Sequence, residues 1–159
     1  MKPASLNLLK QELDNLPAKD VQELCLKLAK YKKENKELLS YLLFDAGDEA
    51  GYIKSVKTEI ESLFNEINTT HLYFVRKSVR KILRTINKYI RYSGQKHTEV
   101  ELLLFFCSQL KDSGIPYQSV TSLNSLFENQ LRKIRKAVSA LHEDLQFDYG
   151  LEINRLSEE

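Results

Sequence analysis

Tryptophan is absent from these 159 residues; methionine occurs once, cysteine twice, proline three times and glycine five times. Glycine and proline together make up about 5% of the chain, where roughly 12% is typical. Sheet proteins spend both residues on turns, so a strand-rich fold is excluded and long helices are expected. Long apolar runs are also missing. The longest, Leu102 to Cys107, is about a third of the ~18 residues that a membrane-crossing helix needs. Residues 1–10 turn polar before a hydrophobic segment can form, so no signal peptide is expected. Cys25 and Cys107 both fall in apolar-periodic stretches. Two small buried hydrophobes in a reducing cytoplasm are expected of them rather than a disulfide framework.

Catalytic signatures are lacking as well. No Gly-x-x-x-x-Gly-Lys phosphate loop, Gly-x-Gly-x-x-Gly turn or Gly-x-Ser-x-Gly elbow occurs. The zinc-protease helix pattern starts at His142-Glu143 and fails where Gln146 replaces the second histidine. Consecutive helical residues point about 100° apart, so His142, Glu143 and Asp144 cannot converge on one ion and read as helix-capping or ion-pairing groups. No catalytic residue, cofactor or metal site is therefore assigned.

What remains is 42% hydrophobic and 29% charged residues, the composition of a soluble globular chain. One domain is expected over residues 1–150, with a polar, frayed tail at 151–159. Apolar residues recur at steps of three and four. They mark helices over Ser5 to Asn15, from Pro17 (Val21, Leu24, Cys25, Leu28) and from an Asn35 cap (Leu38, Leu39, Leu42, Leu43). Asp48 caps a fourth helix carrying Ile53, Val56, Ile60, Leu63 and Ile67; the fifth carries Leu72, Val75, Val79, Ile82, Ile86 and Tyr89 and ends at Gly94. Thr98 with Glu101 reads as a capping box for a sixth helix through Val100, Leu103, Leu104, Cys107 and Leu110. A seventh runs from Leu123 through Phe127, Leu131, Ile134, Val138 and Leu141 to Leu145. Short connections favour an all-α, single-domain antiparallel bundle of about six or seven helices, with an α-solenoid-like stack of helical pairs as the alternative. Its core should hold Val79, Ile82, Ile86, Leu103, Leu104, Ile134, Val138 and Leu141.

Charge is uneven. The net charge is only +2, yet between Glu66 and Glu99 there are eight basic residues and no acid, which leaves the rest at −6. Arg76, Arg80, Arg84, Lys88 and Arg91 share one arc of the fifth helix, opposite its apolar arc. Tyr73 and Tyr92 lie near that arc and could stack on bases. A second basic cluster, Arg132, Lys133, Arg135 and Lys136, falls on the seventh helix. A merely solvated helix mixes signs, because like charges four apart destabilise it by a few tenths of a kcal/mol per pair. The basic arc therefore reads as an electrostatic docking face.

The stretches Leu24 to Leu39, Lys81 to Tyr92 and Leu141 to Leu145 resemble small uncharacterised helical proteins of bacteria, a family of unknown function. That resemblance carries no active site and implies a bacterial cytoplasmic setting. Residues 18–44 are similar to the SAP nucleic-acid-binding motif, without the glycine usual in its loop. Together these features lead to a non-enzymatic binding or scaffolding protein acting through protein–protein contacts, with an acidic protein or a second copy of the chain as partner. The alternative is a module for nucleic acid or another polyanion using residues 76–96; an enzyme with a spatially assembled site comes third.

Overall fold

Several of the turns fall at the few glycines and prolines. Pro17 precedes helix α2, Gly94 (φ +68°) closes α5, and Gly114 (φ +72°) and Pro116 lie in the loop after α6. At both glycines the backbone is left-handed, a conformation that a Cβ would strain. The computed structural model describes residues 1–157, and among them no strand occurs.

Contacts divide the chain into two compact units, Met1–Phe44 and Asp45–Glu159. The first unit contains α1 (Leu6–Asp14), α2 (Ala18–Tyr31) and α3 (Lys33–Ser40), and a π-helical turn (Tyr41–Asp45) runs on from it. Ser5 caps α1, its hydroxyl accepting from the Leu8 N–H. The extended residue Lys32 alone separates α2 from α3, and these two helices pack on each other. Asn35 does not cap α3. It lies inside that helix and its amide donates to the Leu28 carbonyl (2.8 Å), tying the two helices together. No residue of α1, α2 or α3 is buried, although Tyr41 is.

The second unit is a helical bundle of α4 (Glu49–Asn65), α5 (Leu72–Ser93), α6 (Lys96–Asp112), α7 (Thr121–Val138) and α8 (Glu143–Ser157). Asp48 caps α4 as expected, accepting from the Gly51 N–H at 3.0 Å. Helix α6 packs on each of the other four. Its single apolar stripe is in fact apolar on nearly all sides: Leu102 and Phe106 are buried along with Val100, Leu103, Leu104, Cys107 and Leu110. A helix apolar all round belongs in the middle. Around it lie Val79, Ile82 and Ile86 of α5 and Ile134 and Val138 of α7, all buried; Leu141 is half-buried, in the turn after α7.

Three boundaries differ from expectation. Helix α6 begins at Lys96, so Thr98 is inside it and buried, donating to the Glu49 carboxylate instead of capping. The seventh helix does not reach Leu145: it stops at Val138, and the acids Glu143 and Asp144 open α8 at the end that their charge favours. The supposed tail from 151 is helical to Ser157 and buries Ile153; Glu158 and Glu159 lie outside the described residues.

Candidate functional site

Helix α5 is amphipathic along its length, with Val75, Val79, Ile82 and Ile86 turned into the bundle. The opposite arc carries the basic residues. Tyr73, Arg76, Lys77, Arg80, Leu83, Arg84 and Asn87 line a shallow furrow of about 640 Å³ built from this one helix. Arg76, Lys77, Arg80, Lys81, Arg84 and Arg91 make no ion pair among the described residues. The Arg76 Nε donates to the Leu72 carbonyl (3.3 Å), which pins that side chain along the helix. Leu83 is half-buried in the furrow, and Tyr73 is 64% exposed beside Phe74 in an edge-on contact.

The sequence-derived arc is thus split. Lys88 stands over the Tyr89 ring (4.8 Å) and the Tyr92 ring (6.0 Å), and the Tyr89 hydroxyl donates to Glu59 of α4 (2.8 Å). Lys88 and Tyr92 therefore belong to the edge of α5 that faces the acids of α4, not to the furrow. Arg91 is exposed, and Lys96 pairs with Glu99 at 2.7 Å. The second basic cluster sits on α7. Arg132, Lys133 and Lys136, with Asn129 and Gln130, line a separate groove of about 570 Å³ that shares no residue with the first. Arg135 turns away and donates to the Ser157 hydroxyl of α8 (3.1 Å).

One polar cluster was invisible in the sequence. Glu101 of α6 accepts from Lys57 of α4 and from the Tyr149 hydroxyl of α8, with His97 Nε2 at 4.0 Å. Burial pushes the Glu101 carboxyl up, but the hydrogen bonds from Lys57 and Tyr149 and the Lys57 charge outweigh it, so its pKa lies below the ordinary value. Burial, then the bond to Glu101, pushes the Tyr149 phenol up. Both shifts move away from neutrality, the opposite of what general acid–base work needs. The cluster ties three helices together, and the cavity beside it is small, about 270 Å³. Sequence separations of 44 and 48 residues left no local signal for it.

Elsewhere the thiols differ. Cys107 is buried, and that burial pushes its pKa up to about 12, whereas Cys25 is exposed, contrary to expectation. His142 accepts from the Asp144 N–H through Nδ1 (3.4 Å), a capping contact. Among the described residues no group of His, Cys, Asp and Glu could hold a metal, and no helix is long and apolar enough to cross a membrane. In the first unit Cys25, Leu28, Ala29, Asn35, Leu38, Leu39 and Leu42 line an apolar groove of about 280 Å³ between α2 and α3.

No protein-family model, curated protein or solved structure matches this chain. Charge and exposure are what remain to support a function.

Proposed function

We propose that this chain is a non-enzymatic binding protein that docks an acidic protein segment along the outer face of α5. The observation that carries this reading is the set of six cations on that face with no carboxylate partner among the described residues, in a bundle that pairs Lys57 and Lys96 elsewhere. Uncompensated like charges at four-residue spacing cost the helix a few tenths of a kcal/mol per pair, a cost that a partner's acids would remove. From Arg76 to Arg91 the row is fifteen steps long, or about 22 Å at 1.5 Å per residue. Its furrow is open and shallow, which suits an extended or helical segment and not an enclosed small molecule. Leu83 and the methylene stems of the arginines give it an apolar floor beneath the charge.

A second reading has one observation in its favour. Tyr73, exposed at the end of the arginine row, offers a face on which a base could stack, and guanidinium groups suit phosphate. The two free thiols, one of them exposed, fit a reducing cytoplasm in either case.

Fluorescence anisotropy with an acidic peptide and with duplex DNA separates the readings. Peptide binding at low salt that Arg80→Glu with Arg84→Glu abolishes supports the first. A log–log salt slope of about −4 to −5 on duplex DNA, from roughly five phosphates engaged, favours the second. Failure of both probes removes the docking role from this face, and binding that survives the double change moves it to Arg132, Lys133 and Lys136.

A further inference from the structure

Helix α2 presents Val21, Leu24, Leu28 and Tyr31 at steps of three, four and three, the spacing of a coiled-coil seam. In the bundle, stripes of this kind are buried. Here Leu24 is 41% exposed, Leu28 63% and Tyr31 76%. At about 100° per residue, Asp20, Glu23, Lys27 and Lys30 fall together along one edge of that seam. Acids occupy the first half of the edge and lysines the second. None of the four has an ion-pair partner among the described residues, including Glu23 and Lys27, which stand one turn apart.

We propose that α2 is a self-docking surface through which two copies of this chain pair, their α2 helices running antiparallel about a two-fold axis. An antiparallel helix pair brings each edge of the seam against the same edge of the other copy, and a two-fold interface must be self-complementary. The edge meets that requirement. About a two-fold axis at Cys25, the pairing sets Asp20 opposite Lys30 and Glu23 opposite Lys27, twice each; in that register Leu24 meets Leu28, and Val21 meets Tyr31, two residues from directly opposite. Parallel pairing would set acid against acid and lysine against lysine. Antiparallel helix dipoles add to the preference.

Residues 1–44 expose fourteen large hydrophobic side chains, of which Leu24, Leu28 and Tyr31 lie on the seam itself. This self-pairing uses no residue of α5, so it and the docking role proposed for that helix stand or fall separately.

Sedimentation velocity on the full chain over micromolar concentrations tests it, with far-ultraviolet circular dichroism to confirm folding. Wild type should sediment as a dimer, and Leu28→Glu as a monomer of unchanged helicity. Glu23→Lys, which would face Lys27 of the other copy, should weaken dimerisation by roughly tenfold or more, and Glu23→Lys with Lys27→Glu should restore it. Mild oxidation should link the dimer through Cys25, because that exposed thiol lies near the axis while Cys107 is buried. A wild type that stays monomeric overturns the proposal, as does a dimer unaffected by Leu28→Glu. A double change that fails to rescue Glu23→Lys overturns the antiparallel arrangement.

Discussion

Two apolar stripes with nearly the same spacing meet opposite fates in this molecule. Val75, Val79, Ile82 and Ile86 of α5 are buried, Val79 and Ile86 completely. Val21, Leu24, Leu28 and Tyr31 of α2 are not, and Tyr31 is three-quarters exposed. The periodicity is equivalent; what differs is the supply of covering surface. Beside α5 lies α6, apolar on nearly every side, while α2 packs on α3, an eight-residue helix in which no side chain is buried. A stripe in a sequence states that a face needs cover and leaves open where the cover comes from.

Substitutions can break or sharpen that contrast, beginning with the largest effect. Ile82→Ala should destabilise the bundle by about 2–5 kcal/mol, since burial is lost and a cavity remains. Leu28→Ala in the first unit, compared at a concentration low enough to keep the chain monomeric, should cost under about 1 kcal/mol, because an exposed side chain leaves no cavity. Chemical denaturation of both variants checks this, and equal losses would show that α2 is as well covered as α5.

Removing the tie across α4, α6 and α8 comes next. Glu101→Ala leaves Lys57 and the Tyr149 hydroxyl without their shared acceptor and should cost about 1–3 kcal/mol. The pH dependence follows from the direction of the shift. Glu101 is held below its ordinary value of 4.5, so its contribution is complete above pH 4.5 and is lost as pH falls through the depressed pKa. Thermal melts should show an acid limb below that point for wild type and a weaker one for Glu101→Gln. The alkaline side has the opposite sign. Cys107 is raised from 9.0 to about 12, so stability that is intact below pH 9 declines between pH 9 and 12 as the buried thiol is forced to ionise. The raised phenol of Tyr149 adds to that decline above pH 10.

A smaller effect is expected at Asp48, whose carboxylate caps α4. Asp48→Ala should lower the unfolding free energy by about 1 kcal/mol. The smallest falls on the basic row. Arg80→Glu with Arg84→Glu should leave the melting temperature unchanged or raise it slightly, because it removes like-charge pairs worth only a few tenths of a kcal/mol each. A marked loss of stability would mean that these arginines hold the bundle together and do not await a partner.

How much of this was legible in the sequence depends on the range of the interaction. Signals within one turn were read correctly: Asp48 capping α4, Gly94 closing α5, the apolar face of α5. Thr98 with Glu101 satisfied the same local pattern and misled, because Glu49 captures the threonine and Lys57 with Tyr149 capture the glutamate. The break at Ser139 was hidden by apolar residues that kept helical spacing across it as far as Leu145. Within the basic arc, the wheel placed Arg76, Arg80 and Arg84 correctly but could not show that Lys88 and Tyr92 lie toward α4. Exposure of Cys25 was equally out of reach, since composition does not say which helices find a neighbour.

The central position of α6 has a consequence for synthesis. Once residues 96–112 have been made, Leu102, Leu103 and Phe106 must wait for α7 and α8 before α6 is enclosed on every side. Chain elongation at about 5–20 residues per second puts the arrival of Ser157 roughly 2–10 s after that of Leu110. For that interval the nascent bundle carries its most hydrophobic segment incompletely wrapped, and it is then that holding chaperones would have most to grip.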